Sequence, residues 1–148
     1  LEAGRLAPSA CNGQPWHFTV VTDPQLLVEV GKATSSFGMN RFVKDASALV
    51  LITLEPTNIT SKLGCGIKDK DFPIMDLGIA SAYITLAAED EGIGSCILGW
   101  FDEKKIKELV GVPQKKRLML IISLGYNLKP KRKKIRKDFD KVVSFEKY

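Results

Sequence analysis

Between Pro73 and Glu91 runs the longest regular segment of this 148-residue chain, and it has almost no polar face. Pro73 opens it and Gly92 stops it, while Ile74, Met75, Leu77, Ile79, Ala80, Ala82, Tyr83, Ile84, Leu86, Ala87 and Ala88 fill it before Glu89. A helix that is apolar around its circumference has to be buried nearly all round. A chain of this length rarely encloses one so fully, and Gly78, Ala80, Ser81 and Ala82 are small enough to let another helix approach closely. The segment therefore predicts a long buried helix at the interface of a homodimer.

The remaining elements alternate. Leu1 to Leu6 reads as the last turns of a helix whose beginning is missing. His17 to Thr22 has the β-rich composition of a strand, and Asp23-Pro24 caps a helix reaching to about Ala33. Ser35 to Asn40 reads as a loop. Ala48 to Leu54 is a continuous apolar run of strand length, expected to be buried on both faces and ended by Glu55-Pro56. Leu63 to Asp71, with two glycines and four charges, predicts a mobile or variable loop. Ser95 to Leu98 is a short strand, Asp102 caps a helix through Val110 that stops at Gly111, and Lys116 to Tyr126 contains a strongly apolar central strand.

Length predicts one domain, residues 1–148. The longest apolar stretches are too short to span a bilayer and no signal segment opens the chain, so the expectation is a cytoplasmic protein without membrane contact. Cys11, Cys65 and Cys96 are odd in number and widely spaced, which fits neither a disulfide framework nor a zinc site; with His17 the lone histidine, no metal is expected. The net charge of +5 is local: seven basic residues lie between Lys129 and Lys137, and without them 15 basic residues face 17 acidic ones. Such a tail suits phosphate of any kind, nucleic acid and lipid headgroups included, or is simply solvated.

Strands alternating with helices suggest α/β layering, but no glycine-rich loop follows a strand with GxGxxG spacing. Gly92-Ile93-Gly94 has the opposite polarity, leaving a helix and entering a strand. A fixed nicotinamide site of the Rossmann type is therefore not expected. There is no P-loop, no GxSxG elbow and no partner set for a hydrolytic triad. Chemistry carried by a cofactor remains.

Pro8 to Trp16, PSACNGQPW, breaks the helix before it and forces a turn dense in donors. Ser9, Asn12 and Gln14 supply hydroxyl and amide groups, and Gly13 permits backbone shapes that other residues resist. Read alone, these residues suit either an ordinary connection or a loop that binds a flat polar ligand. Trp16 and Trp100 suit a pocket wall, though a tryptophan beside a strand is more often core.

The run RLAPSACNGQPWHFTVV, from Arg5 to Val21, resembles the signature of the nitroreductase family of FMN-dependent flavoproteins. DLGIASAYITLAAEDEGIGSCILGWF, from Asp76 to Phe101, resembles a second stretch of that family in the right order. The resemblance implies an α+β fold of three α/β/α layers, with a mixed, mainly antiparallel central sheet and a long buried helix at the dimer interface. It implies FMN as cofactor, with Pro8, Ser9, Ala10 and Asn12 near the isoalloxazine, often from the subunit opposite the one holding the phosphate. Gln14 joins this set through its amide. It also implies that the backbone at Leu98 and Gly99 lies beside the ring, and that basic residues near the C-terminus neutralise the phosphate. Lys134 and Arg136 have a suitable spacing, with Arg132 a close competitor.

The implied activity is hydride transfer from NAD(P)H through the flavin to a nitroaromatic, quinone or similar acceptor, in a ping-pong cycle without a catalytic side chain. Alternatives are a family member that dismantles flavin or reductively dehalogenates, and, from another class, a non-catalytic binding module whose basic tail takes phosphate or nucleic acid. The leading reading expects no nucleic acid. An RRS-type segment usual in the family is absent, which suggests that the sequence is truncated at its N-terminus; Asn40, Arg41 and Lys44 align only loosely with a position that faces the flavin pyrimidine.

Overall fold

The computed structural model describes residues 1–35, 38–58, 69–127, 130 and 133–148. Among these residues four strands, β1 (Trp16–Val21), β2 (Ala48–Leu54), β3 (Gly94–Leu98) and β4 (Arg117–Gly125), form one sheet in the order β1-β2-β4-β3. Every described pairing is antiparallel. Four α-helices among the described residues flank it: α1 (Glu2–Arg5), α2 (Pro24–Thr34), α3 (Phe72–Asp90) and α4 (Glu103–Val110).

Alternation along the central strands creates two cores, as a pleated strand must. Leu49 and Leu51 of β2 pack with Leu27, Val30 and Ala33 of α2 and Ile106 of α4 on one face. Val50 and Ile52 pack with Leu77 and Ile84 of α3 on the other. This is the expected three-layer α+β arrangement, and β2 is buried on both faces as its unbroken apolar run predicts. The register shifts between Ile52 and Thr53, whose partners are Leu120 and Leu118. The extra residue, Met119, lets Met119 and Leu120 both pack on the α3 side while Leu118 and Ile121 serve the other core.

The helix starts follow from local chemistry. Asp23, Asp71 and Asp102 each accept a hydrogen bond from a backbone N–H of the first turn, at Leu26 (2.8 Å), Ile74 (3.4 Å) and Lys105 (3.0 Å). Gly111 ends α4 in the left-handed conformation. A turn of 3-10 helix at Arg41–Asp45, which the sequence pattern does not announce, buries Val43 in the α2-side core. Residues 63–68 of the anticipated loop lie outside the described residues, as does Cys65.

In the isolated chain one side of α3 stays uncovered, as the limited length of the chain leads one to expect. α3 is not buried all round: Ile74, Met75, Ile79, Tyr83 and Leu86 are exposed, Leu86 to 68%. Asp76, Leu77, Ala80, Ser81, Ile84 and Ala88 carry the buried side. One sheet face can cover only one side of a helix, and the other side of this one is equally apolar. Among the described residues no helix is long and apolar enough to cross a membrane.

The turn after α4 is pinned from inside. Lys107 is buried, and its ammonium donates to the carbonyls of Gln114 (3.0 Å) and Lys116 (2.8 Å) and pairs with Glu103 at 3.3 Å. Glu103 also accepts from the Leu118 N–H at 2.9 Å. Burial pushes the Glu103 carboxyl up, but the Leu118 N–H, Lys107 and Arg117 outweigh it and hold the group below its ordinary value. A carboxyl lowered on folding stabilises above its unfolded pKa, and that stabilisation is lost as pH falls through the folded one. Glu103→Gln should therefore be less stable than the wild type at neutral pH. The difference should shrink in acid below the ordinary carboxylate range, as urea midpoints measured across that range would show.

Candidate functional site

Strand direction gathers several connections at one end of the sheet. Trp16 of β1 pairs with Leu54 of β2, which pairs with Arg117 of β4, while β3 runs toward the same end as it reaches Leu98 opposite Ile121. The Pro8–Pro15 loop before β1, residues 55–58 after β2 and residues 99–101 after β3 therefore share that end. β1 and β3 are opposite edges of the sheet. Neighbouring strands lie about 4.8 Å apart, so the loop and the β3 exit of one chain are separated laterally by roughly 14 Å.

The loop is held tightly from two sides. Ser9 is extended, Ala10–Asn12 makes one turn of 3-10 helix, and Cys11, Asn12 and Gln14 all have positive φ, at 51°, 52° and 45°. Such backbone is unfavourable for residues with a side chain, by about 1 kcal/mol or more each. Local bonds hold it: the Ser9 hydroxyl oxygen accepts from the Gln14 N–H at 3.0 Å, and the Gln14 amide donates to the Asn12 carbonyl (3.2 Å) and to Asn12 Oδ1 (3.1 Å). Beyond the loop, Asn58 donates to the Cys11 carbonyl at 3.0 Å and Asp76 of α3 accepts the Ala10 N–H at 3.1 Å with both oxygens.

Gly13 plays a different part from the one its sequence suggests. It has an ordinary φ of −70°. Its missing side chain matters because a Cβ there would collide with the Thr57 hydroxyl oxygen. The unusual backbone belongs instead to its neighbours.

At the other edge, Leu98 is buried and Gly99 and Trp100 are exposed. Among the described residues nothing beyond its chain neighbours would lie within 4 Å of a Cβ at Gly99, so the space beside this backbone is open. Asn40, left-handed at φ 56°, donates to the carbonyls of Thr34 (3.2 Å) and Trp100 (3.1 Å). Its amide thus ties the β3 exit to the end of α2. Arg41 and Lys44 are exposed.

The two tryptophans differ. Trp16 stacks on Phe18 with ring centres 6.3 Å apart and packs against the α3-side core, whereas Trp100 is 55% exposed at the candidate site. His17 is exposed on β1. Lys134 and Arg136 are exposed in the tail, and Arg136 donates to the adjacent Ile135 carbonyl at 2.8 Å. The fold of one chain therefore brings Pro8, Ser9, Ala10, Asn12 and Gln14 together and sends β3 toward the same sheet end past Leu98 and Gly99, while Lys134 and Arg136 make no described hydrogen bond with either set. Arg132 lies outside the described residues.

Asp76, Asn58 and Thr57 support this loop and are not evident as site residues in the sequence. Asp76 carried a signal: it is the one acid inside an otherwise apolar stretch between Phe72 and Ala88.

The sequence profile of the nitroreductase family matches residues 1–39 and 34–126. A relative from Archaeoglobus fulgidus is 36% identical over 130 residues, covering 85% of this chain and 69% of its own. The oxygen-insensitive NADPH nitroreductase of Helicobacter pylori strain J99 is 28% identical over 166 residues, covering 92% of this chain and 78% of its own. Among solved structures, the FMN-dependent nitroreductase of Clostridium difficile R20291 superposes with a TM-score of 0.75 at 30% identity, over 99% of this chain and 84% of that one. On this agreement of sequence and fold, the chain is an oxidoreductase that belongs to the nitroreductase family.

Proposed function

We propose that this protein is a homodimeric FMN enzyme that passes reducing equivalents from NAD(P)H to nitroaromatic, quinone or similar electron-poor acceptors in a ping-pong cycle. The observation that carries the reading is the arrangement at one end of the sheet. A donor-rich loop braced in a strained shape and an open glycine at a strand exit face the same end, in a chain of this family.

The residues present fit a flavin. Ser9 accepts from Gln14 through its oxygen, which leaves its hydroxyl proton to donate outward. Asn12 and Gln14 add exposed amides, and Pro8 and Ala10 set the wall of the loop. Leu98 and Gly99 offer backbone to the ring without an obstructing side chain. Lys134 and Arg136 supply the cations for the phosphate, the guanidinium as a fork and the ammonium as a point charge. Bound FMN would supply the hydride-accepting and hydride-donating chemistry, for which the protein provides position and electrostatics.

Two features favour a site shared between subunits. The loop and the β3 exit of one chain occupy opposite sheet edges, so a second copy supplies the missing half more readily than the same chain does. The exposed apolar side of α3 provides the means: Met75, Ile79, Tyr83 and Leu86 repeat at helical spacing, and among the described residues a Cβ at Gly78 would meet nothing within 4 Å. A helix from the partner would cover this face by close approach.

If the tail holds the phosphate, replacing Lys134 and Arg136 together by Ala should weaken FMN far more than riboflavin, which has no phosphate to lose. Fluorescence titration with each flavin reads the difference; equal losses, or unchanged FMN affinity, would contradict the assignment. Ala82→Glu, placing a charge on the exposed side of α3, should lower the light-scattering mass from two subunits to one and lower flavin content with it. A wild-type chain that binds FMN as a monomer would contradict the shared site.

A further inference from the structure

Asp76 is 4% exposed, and among the described residues no Lys, Arg or His pairs with it. A carboxylate taken out of water without a cation is expensive to keep unless hydrogen bonds answer it. Among the described residues its hydrogen-bond partner is the Ala10 N–H, shared between both oxygens at 3.1 Å. Asp76 sits in the second turn of α3, on the side that packs against the sheet, so its position is set by the long helix. Ala10 stands immediately before the residues with positive φ, and its N–H is the loop donor fixed by a side chain of α3.

We propose that Asp76 is a positioning residue for the flavin site: its carboxylate clamps the Ala10 N–H, holds the turn in which Cys11, Asn12 and Gln14 are left-handed, and so keeps Ser9, Asn12 and Gln14 in place before any ligand arrives. The part of this that concerns flavin rests on the FMN reading above. The clamp itself does not, and it can be measured in the free protein. The physical argument is pre-organisation: a loop already ordered loses less freedom when it binds. The clamp also ties the loop to the helix whose opposite side is proposed to meet the partner subunit, so assembly and loop shape share one rigid element.

The test uses the full chain as Asp76→Ala and Asp76→Asn, with two readouts. Hydrogen–deuterium exchange over residues 9–14 in flavin-free protein should speed up in Asp76→Ala and less so in Asp76→Asn, whose amide oxygen still accepts one hydrogen bond. Fluorescence titration should show both FMN and riboflavin weakened by roughly tenfold in Asp76→Ala, the scale of one lost charge-assisted hydrogen bond. Asp76→Asn should fall between it and the wild type. Equal loss for the two flavins distinguishes a loop defect from the phosphate-selective loss expected of the tail variant. If Asp76→Ala does not fold, Asp76→Asn decides alone, since it preserves shape and removes only the charge. Wild-type exchange together with wild-type affinity for both flavins in the folded variants would overturn the proposal. A wild-type chain that binds neither flavin would refute the FMN reading, while the exchange experiment would still decide the clamp.

Discussion

The packing of α3 across the sheet is the contact on which the rest depends. Leu77 and Ile84 close over Val50, Ile52 and Ile122, and this seam fixes where the helix lies along the strands. From that position the Asp76 carboxylate meets Ala10, and Gly4 of α1 comes against Ile84. Each fully buried Leu or Ile contributes about 1.5–3 kcal/mol by removal from water, which is ample to hold one carboxylate in an apolar setting. The helix is therefore both a core element and the support of the candidate site.

That arrangement explains why strain is concentrated in so few residues. Cys11, Asn12 and Gln14 adopt backbone that side-chain-bearing residues avoid, and they keep it because Asp76, Asn58 and the Ser9 hydroxyl over-determine the turn. At the other sheet edge, Asn40 spends its amide on two carbonyls, which steadies the strand exit at Trp100. Rigid supports under both halves fit the proposed flavin site, to which the protein would contribute position.

Much of the fold was legible because it depends on short-range patterns. The apolar run Ala48–Leu54, the Asp102 cap and the Gly111 stop appear where period, capping and stop signals put them. The uncovered side of α3 was legible too, as an apolar circumference that a chain of this length rarely encloses, although hydrophobicity says that a face must be covered and not which chain covers it. At Gly13 the sequence reveals a glycine's freedom but not the neighbouring Thr57 hydroxyl, which leaves no room for a Cβ. Asp76 stands out in the sequence as the one acid between Phe72 and Ala88, but what it supports shows only when its partner 66 residues earlier is in place. For Lys134 and Arg136, alternating spacing identifies cations without saying what they reach.

The central claim is that a flavin bound at this sheet end offers one open face to both substrates in turn. Initial rates against NAD(P)H at several acceptor concentrations, measured on the flavin-loaded protein, test it most directly. The account predicts parallel double-reciprocal lines, with the visible flavin absorbance bleached by NAD(P)H alone in the absence of oxygen and acceptor. Intersecting lines, or a bound flavin that NAD(P)H fails to bleach, would contradict it.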